Sequence, residues 1–392
     1  MKLSKIDLNI ILDSRGNDTL EAKVFSNRIS AISSVPAGKS KGKFEAFSIE
    51  PRIALQKFEK IRTEILNINF SSILEFDSLL RKLDDTFNKS NLGGNLILAL
   101  SIGFTKLFAK FNNLETHQLI SQTLGKKSDK FPFLFFNLIG GGLHARNSLP
   151  FQEYLLVTKF SSPAKGLEYA KLTVEKLRKD IEKNFGEIRL GDEGAFAIKS
   201  DDADLGFEIL SRNLADSDIG LALDAAASSF YKNGNYRIGE NELKTDGMIN
   251  LYQDLAEKFQ LLSIEDPFSE NDEIGFVKFN QEMKNKIWII GDDLTVTNPK
   301  FIKKAQEKKE ITGVIIKPNQ IGSVSETLDA IKLAQGFGWK IIVSHRSGET
   351  DDDFIADLAF GVGADGLKSG SPTQNQRLVK YNRLIEIEKK VS

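Results

Sequence analysis

The segment Ile287-Trp288-Ile289-Ile290-Gly291-Asp292 shows the pattern that decides the fold, an apolar run that ends in a charged residue. A run this continuous is typical of a parallel strand that is covered on both faces. The pattern recurs through the second part of the chain. Such runs end at Asp224, Glu265, Asp292, Lys317, His345 and Lys368. Most of these ends are about 25 residues apart, which is the length of one strand, loop, helix and loop.

Six such units in series predict an α/β barrel of the TIM type over residues 130–392. Residues 1–129 have a different rhythm and predict an α+β domain, with a short antiparallel sheet followed by helices. The predicted strands are Ile6–Leu12, Leu20–Phe25 and Ile29–Val35. From about Arg52 to Leu124 the apolar spacing becomes helical.

Composition excludes several classes of protein. The chain has 53 Lys+Arg and 54 Asp+Glu, so no net field attracts nucleic acid or an anionic membrane. It has no cysteine, which excludes disulfides and thiolate zinc sites and fits a reducing compartment. The apolar stretches Leu96–Phe104 and Phe131–Ile139 are shorter than the roughly 18 residues of a membrane span. We expect a cytoplasmic protein with no nucleic-acid or membrane partner.

Three of the strand ends carry carboxylates that a barrel brings to one mouth. Asp224, Glu265 and Asp292 supply only oxygen ligands, and such sites favour hard cations such as Mg²⁺. Without a cation, three convergent carboxylates repel one another. A salt-bridge network with the neighbouring lysines is the alternative interpretation.

Lys317 is the candidate reactive amine. A lysine at a strand end can be a Schiff-base nucleophile, a general base or a charge clamp. A base must be neutral near pH 7, although the free pKa is about 10.4. We expect Lys368 and a divalent cation to lower the Lys317 pKa by like-charge repulsion.

Three loops concentrate polar groups around glycines. Residues 140–147 precede Gln152 and Glu153, and residues 191–194 read Gly-Asp-Glu-Gly. Residues 344–350 read Ser-His-Arg-Ser-Gly-Glu-Thr, in which Arg346 and Ser347 suit a phosphate.

The ordered set of these motifs resembles the enolase family along essentially the whole chain. The segments that carry the resemblance are Leu12–Asn17, Gly191–Gly194, Ser263–Phe268, Gly291–Pro299, Lys317–Ser323 and Ser344–Thr350.

The resemblance implies reversible, Mg²⁺-dependent dehydration of 2-phosphoglycerate to phosphoenolpyruvate. The general use of a Lys or His base with Mg²⁺ in this superfamily is established. In these terms Lys317 removes the C2 proton, and Lys368 helps to stabilise the dianionic intermediate. The predicted ligands of the first Mg²⁺ are Asp224, Glu265 and Asp292.

The resemblance also assigns the remaining roles. Glu193 protonates the departing C3 hydroxyl, assisted by Glu153, and His345 takes part in catalysis. The predicted substrate-binding residues are His144, Gln152, Glu153, Arg346, Ser347 and Lys368. Ser40 is expected to bind a second Mg²⁺, which makes two per active site. A homodimer or higher homo-oligomer is expected.

Two alternatives remain at this point. One is another acid–base enzyme of the same superfamily that acts on a different substrate. The other is a catalytically weak paralogue with a binding role, suggested by Lys39 and Lys41 in the loop 37–42, where the family's loop usually reads Ser-Gly-Ala-Ser-Thr-Gly.

Overall fold

The structure is a computed structural model that describes residues 1–38, 44–126, 129–144, 149–214 and 218–391, except for the side chain of His144.

The chain begins with a three-stranded sheet. The strands are β1 (Lys5–Leu12), β2 (Asp18–Ser26) and β3 (Ile29–Ser34). They pair antiparallel in the order β1-β2-β3. The turn between β2 and β3 contains Asn27, whose φ of 52° lies in the left-handed region that Asn tolerates. The predicted antiparallel sheet is confirmed, with strand ends that differ by one or two residues.

Four helices complete this unit. They are α1 (Pro51–Leu66), α2 (Ile73–Asp84), α3 (Gly94–Phe111) and α4 (Thr116–Leu124). Helix α3 is 18 residues long with a mean hydropathy of 1.3, so length and composition alone would allow it to cross a membrane. The expectation that this apolar stretch was far too short is therefore wrong. Burial explains its composition, because 72% of the helix is packed inside the protein, against β2, β3 and α2.

The second unit is a closed barrel. Its eight strands are β4 (Phe133–Gly140), β5 (Glu153–Thr158), β7 (Ile219–Asp224), β11 (Leu261–Glu265), β12 (Trp288–Gly291), β13 (Gly313–Ile316), β14 (Lys340–Ser344) and β15 (Gly366–Lys368). The short strand β6 (Phe196–Ala197) pairs with β4. A separate small sheet contains β8 (Tyr231–Lys232), β9 (Asn235–Ile238) and β10 (Asn241–Leu243). The order β4-β5-β7-β11-β12-β13-β14-β15 closes because β15 pairs with β4. The predicted barrel is confirmed.

Helices surround this barrel on the outside. They are α5 (Pro163–Phe185), α6 (Leu205–Arg212), α7 (Thr245–Phe259), α8 (Glu273–Met283), α9 (Pro299–Lys308), α10 (Pro318–Ile321), α11 (Val324–Gly336), α12 (Phe354–Gly361) and α13 (Asn375–Val391). Side chains from alternate positions fill the barrel interior, as such barrels require. This interior cluster contains Phe135, Leu155, Val157, Ala222, Ile290, Ile315 and Ile342.

Strand β5 gives the barrel an irregular feature. It runs antiparallel to both β4 and β7, whereas the other neighbouring barrel strands are parallel. Its first residue, Glu153, therefore lies beside the last residue of β7, Asp224. The antiparallel strand thus adds a carboxylate to the mouth where the parallel strands end.

The first unit reaches the mouth of the barrel through its loops. Ala37 and Gly348 exchange two backbone hydrogen bonds of 2.8 and 2.9 Å. A Cβ at Gly348 would lie 2.3 Å from Asp13 Oδ2, so this close approach requires glycine. The division of the chain between residues 129 and 130 stays a prediction.

Candidate active site

The strand ends meet around one polar cleft of about 240 Å³ at the barrel mouth. Neighbouring strands place Glu265 beside Asp224 and Asp224 beside Glu153 in register. The lining includes Gln152, Glu153, Glu193, Asp224, Asp292, Lys317, His345, Arg346, Ser347 and Lys368. The charged residues predicted at the strand ends therefore lie close together at the barrel mouth.

Lys368 lies at the centre of the carboxylates. Its Nζ donates to Asp224 Oδ2 at 2.9 Å and to Glu265 Oε2 at 2.8 Å, and lies 3.1 Å from Glu153 Oε2. Burial lowers the Lys368 pKa, but the three carboxylates outweigh burial and raise it well above its usual range. Gln152 also donates from Nε2 to Asp224 Oδ2, at 3.2 Å.

Lys317 forms the second ion pair, with Asp292. Its Nζ donates to Asp292 Oδ2, and Gln320 Nε2 donates to Asp292 Oδ1 at 2.9 Å. Asp266 orients the same strand end by accepting hydrogen bonds of 2.8 Å from the backbone N–H groups of Asp292 and Asp293.

Lys368 lowers the Lys317 pKa as expected, but the net direction in this arrangement is upward. The lowering expected from a divalent cation stays a prediction. Burial lowers the Lys317 pKa because it disfavours the charged amine, and the like charges of Arg346 and Lys368 lower it further. The adjacent Asp292 carboxylate and, to a smaller extent, Glu265 outweigh them, and the net direction is upward. Asp292 is therefore the charge that contributes most to keeping the proton on Lys317.

The donor set fits a hard divalent cation. Burial and the neighbouring Asp224 charge raise the Glu265 pKa well above its usual value. Glu265 Oε1 is buried and has no hydrogen-bond partner among the residues that the structure describes. An oxygen-only, crowded and buried set of acids matches the preference of Mg²⁺-like ions.

The tightest acid clusters differ from the predicted ligand set. Within the described parts of the chain, ligand atoms lie within 4.8 Å of one another in two groups, Glu153-Glu193-His345 and Asp266-Asp292-Asp293. The predicted set is not one of them, because Lys368 lies between Asp224 and Glu265 while Lys317 pairs with Asp292. The salt-bridge network proposed as the alternative is thus present in this structure.

Arg346 and Ser347 lie at another side of the cleft. The Arg346 guanidinium donates to both oxygens of Glu45, at 3.1 and 3.2 Å, and to Asn319 Oδ1 at 3.1 Å. Ser347 Oγ is buried without a hydrogen-bond partner in the described ranges. A buried hydroxyl in this state suits a ligand oxygen, since leaving it unmatched costs about 1–3 kcal/mol.

Glu193 lies in the remaining part of the cleft. Its Oε2 accepts from Asn137 Nδ2 at 3.1 Å and is 3.3 Å from His345 Nε2. Burial and the Glu193 charge raise the pKa of the nearby Glu153 well above its usual value. Two further predictions are not described here, because Ser40 and the side chain of His144 lie outside the described residues.

Comparisons with known proteins agree over both units. The family models "Enolase, N-terminal domain" and "Enolase, C-terminal TIM barrel domain" match residues 3–120 and 128–392. An enolase from Sulfurisphaera tokodaii is 40% identical, covering 99% of this chain and 95% of that protein. The chain belongs to the enolase family. An enolase from Thermococcus gammatolerans is 38% identical (97% of this chain, 93% of that protein), and one from Pelagibacter ubique 36% (100% and 97%).

Family membership establishes the activity and its general requirements. Enolases are hydro-lyases, the phosphopyruvate hydratases, and they depend on metal. Their substrate is a small phosphorylated molecule. The cleft described above, with its buried acids and lysines, is the candidate site for this activity in the enolase chain.

Sequence reasoning gave no role to four residues of the site. Asp266 and Gln320 lie inside the quoted motifs, so their position beside strand ends was a usable signal. Glu45 and Arg377 are single charged residues outside those motifs. Folding brings Glu45 into contact with Arg346 and Arg377 into contact with His345.

Proposed function

We propose that Lys317 is the base that removes the C2 proton of 2-phosphoglycerate and that Glu193 is the acid at the C3 hydroxyl, giving phosphoenolpyruvate. The observation that carries this proposal is that both side chains line one cleft while contacting different neighbours. Lys317 pairs with Asp292, whereas Glu193 contacts Asn137 and His345. A base and an acid that are not paired with each other can act on adjacent carbons.

The residues that would hold the first Mg²⁺ are Asp224, Glu265 and Asp292, and we propose Ser40 for a second ion. Bound there, the metal supplies positive charge to the substrate carboxylate and phosphate. Asp292 then has two tasks. Its carboxylate raises the Lys317 pKa, and a cation that shared its charge would weaken this effect.

The proton supply at C3 is supported by the crowding of Glu153 and Glu193. Two buried carboxylates this close hold a proton more readily than separate ones, and burial raises the Glu153 pKa further. Lys368 opposes this effect by contacting Glu153, so its ammonium also sets the proton balance of the pair.

Binding of the phosphorylated substrate is assigned to the other side of the cleft. Arg346 and the buried Ser347 hydroxyl would hold the phosphate, because guanidinium and hydroxyl donors match phosphate oxygens. Gln152 and His144 would contact the rest of the substrate. We also propose a cytoplasmic homo-oligomer, in keeping with a chain that lacks cysteine.

The direct test is an absorbance assay for phosphoenolpyruvate with 2-phosphoglycerate, run with Mg²⁺ and with a chelator. Mg²⁺-dependent product formation that Lys317→Met abolishes supports the proposal. The half-buried Lys106, which pairs with Asp352 and Asp353 away from the cleft, provides the matched control in Lys106→Met. Full activity of Lys317→Met, or faster turnover of a non-phosphorylated acid, would contradict it.

A further inference from the structure

Arg377, on helix α13, is one of the most deeply buried side chains of the described protein, and no residue of the proposed reaction accounts for it. Its Nη1 lies 2.6 Å from His345 Nδ1. The same guanidinium donates to the carbonyl oxygens of Arg346 at 2.5 Å and Ser347 at 2.7 Å. Arg377 therefore contacts both the ring of His345 and the backbone of the two residues that follow His345.

This contact fixes the proton on the ring because an arginine side chain has donors only and stays charged. His345 Nδ1 must accept from Arg377, so a neutral ring carries its proton on Nε2. That nitrogen lies 3.3 Å from Glu193 Oε2, so the Nε2 proton is on the side of the ring that faces this carboxylate. Asn137 Nδ2 donates to the same oxygen at 3.1 Å.

The tautomer determines what Glu193 Oε2 meets at the ring. A protonated Nε2 presents a donor to this oxygen, which already accepts a hydrogen bond from Asn137 Nδ2. If the His345 proton were on Nδ1, Nε2 would instead accept, and the Glu193 proton would point at the ring. The tautomer of His345 therefore decides whether Glu193 meets a donor or an acceptor at the ring.

Resting on the proposed function of Glu193, we propose that Arg377 is a positioning residue that holds His345 as the Nε2–H tautomer, so that the ring presents a donor and not an acceptor to Glu193 Oε2.

The surroundings of the pair support this role. Burial lowers the His345 pKa to about 4, and the Arg377 charge lowers it too, so the ring is neutral near pH 7. Gly370 packs against both groups, since a Cβ there would lie 3.0 Å from His345 Cε1 and 3.1 Å from Arg377 Cδ. The φ of Gly370, 70°, also favours glycine.

The tautomer can be read directly by NMR of protein labelled with ¹⁵N-histidine, because the chain has only three histidines. His345 is assigned by the loss of its signals in His345→Gln. We expect a protonated Nε2 and an unprotonated Nδ1 in the wild-type protein near pH 7, and a mixture of tautomers in Arg377→Met. A proton on Nδ1 in the wild type, or an unchanged tautomer in Arg377→Met, would overturn the proposal.

Lys380 is the matched control on the same helix. It is buried and donates to Glu349 Oε2 at 2.9 Å, which holds the same loop without touching His345. Lys380→Met should leave the His345 tautomer unchanged. If it altered the tautomer as much as Arg377→Met does, the effect would be general loosening of the loop, and the proposal would fail.

Activity measurements separate this proposal from the proposed function. Arg377→Lys keeps the charge and is used if Arg377→Met does not fold. It should lower kcat about 10–100-fold, the usual effect of losing a partner that orients a histidine. In a His345→Gln background, whose amide donates without any tautomer, the same substitution should cost less. Equal costs in both backgrounds would overturn the proposal. The tautomer needs no turnover, so a failed dehydration assay alone would refute only the proposed function.

Discussion

Lys317 donates a hydrogen bond to Asp292, a residue that follows the neighbouring barrel strand. The two residues belong to separate motifs that are 25 positions apart in the chain. This ion pair connects the proposed base to a proposed metal ligand. A change in the charge of Asp292 should therefore change the pKa of the Lys317 amine directly.

Replacement of Lys317 should abolish dehydration. Lys317→Met removes the amine while keeping an unbranched chain, and we expect kcat to fall by about 10²–10⁴, the usual contribution of a general base. The phosphoenolpyruvate absorbance assay measures this loss. Lys106→Met, at a half-buried lysine paired with Asp352, should retain most activity. A Lys317→Met enzyme within tenfold of wild type would show that another group is the base.

Replacement of the proposed acid should be equally specific. Glu193→Gln keeps the size and the hydrogen-bonding capacity of the side chain but supplies no acidic proton. We expect a loss in kcat of about 10²–10⁴ with a smaller change in KM. Glu187→Gln, at an exposed residue that pairs with Arg189, is the control and should behave as wild type. Equal losses in the two variants would remove the acid role from Glu193.

The six predicted strand ends could be placed from the sequence because each ends or directly follows a buried strand whose apolar run is visible without a structure. Asp224, Glu265 and Lys368 are the last residues of β7, β11 and β15. Asp292, Lys317 and His345 directly follow β12, β13 and β14. An apolar run that ends in a charged residue is a local pattern, so it can be recognised without knowing which segments contact it in the fold.

Other features depend on contacts between distant segments and could not be read in this way. The antiparallel direction of β5, which places Glu153 beside Asp224, is set by pairing with β4 and β7. The contact of Glu45 with Arg346 joins residues 301 positions apart. The long interval between Asp224 and Glu265 is explained by the small sheet β8–β10, which the apolar runs did not reveal.

Metal binding should depend on Glu265, whose Oε1 is buried without a hydrogen-bond partner in the described chain. Glu265→Gln removes one charge from the ligand set, and we expect Mg²⁺ affinity to fall at least about tenfold, because ligand charge sets affinity for hard cations. Calorimetric titration of chelator-treated protein measures it. Glu282→Gln, at a residue in contact with Gln253, should bind Mg²⁺ normally. Unchanged affinity in Glu265→Gln would exclude Glu265 as a ligand.

Phosphate recognition should depend on the shape of the Arg346 side chain. Arg346→Lys keeps the charge but loses the paired donors, and hydrogen bonds to charged groups contribute about 1.5–3 kcal/mol. We expect KM for 2-phosphoglycerate to rise about 10–100-fold. Arg62→Lys, at a residue paired with Glu59, should leave KM unchanged. An unaltered KM in Arg346→Lys would mean that the phosphate is held elsewhere.

Asp357, which lies outside the candidate active site, should make the stability of the fold depend on pH. Burial raises its pKa, but hydrogen bonds from His117 and Arg383 lower it to about 2, against an ordinary 3.8. A depressed carboxyl pKa stabilises the fold above about pH 4, and this stabilisation is lost as the pH falls towards 2.

Urea unfolding of Asp357→Asn measures this contribution. We expect the free energy of unfolding to fall by about 2 kcal/mol at pH 7, with a difference from wild type that shrinks between pH 4 and 2. Asp246→Asn, at an exposed residue paired with Lys278, is the control. A difference that did not change with pH would refute the linkage.

The division of labour between Lys317 and Glu193 is tested most directly by NMR of deuterium exchange at C2 of 2-phosphoglycerate in heavy water with Mg²⁺. The account predicts that Glu193→Gln still exchanges the C2 proton while forming almost no phosphoenolpyruvate, and that Lys317→Met does neither. Exchange that persists in Lys317→Met, or that is lost in Glu193→Gln, would contradict it.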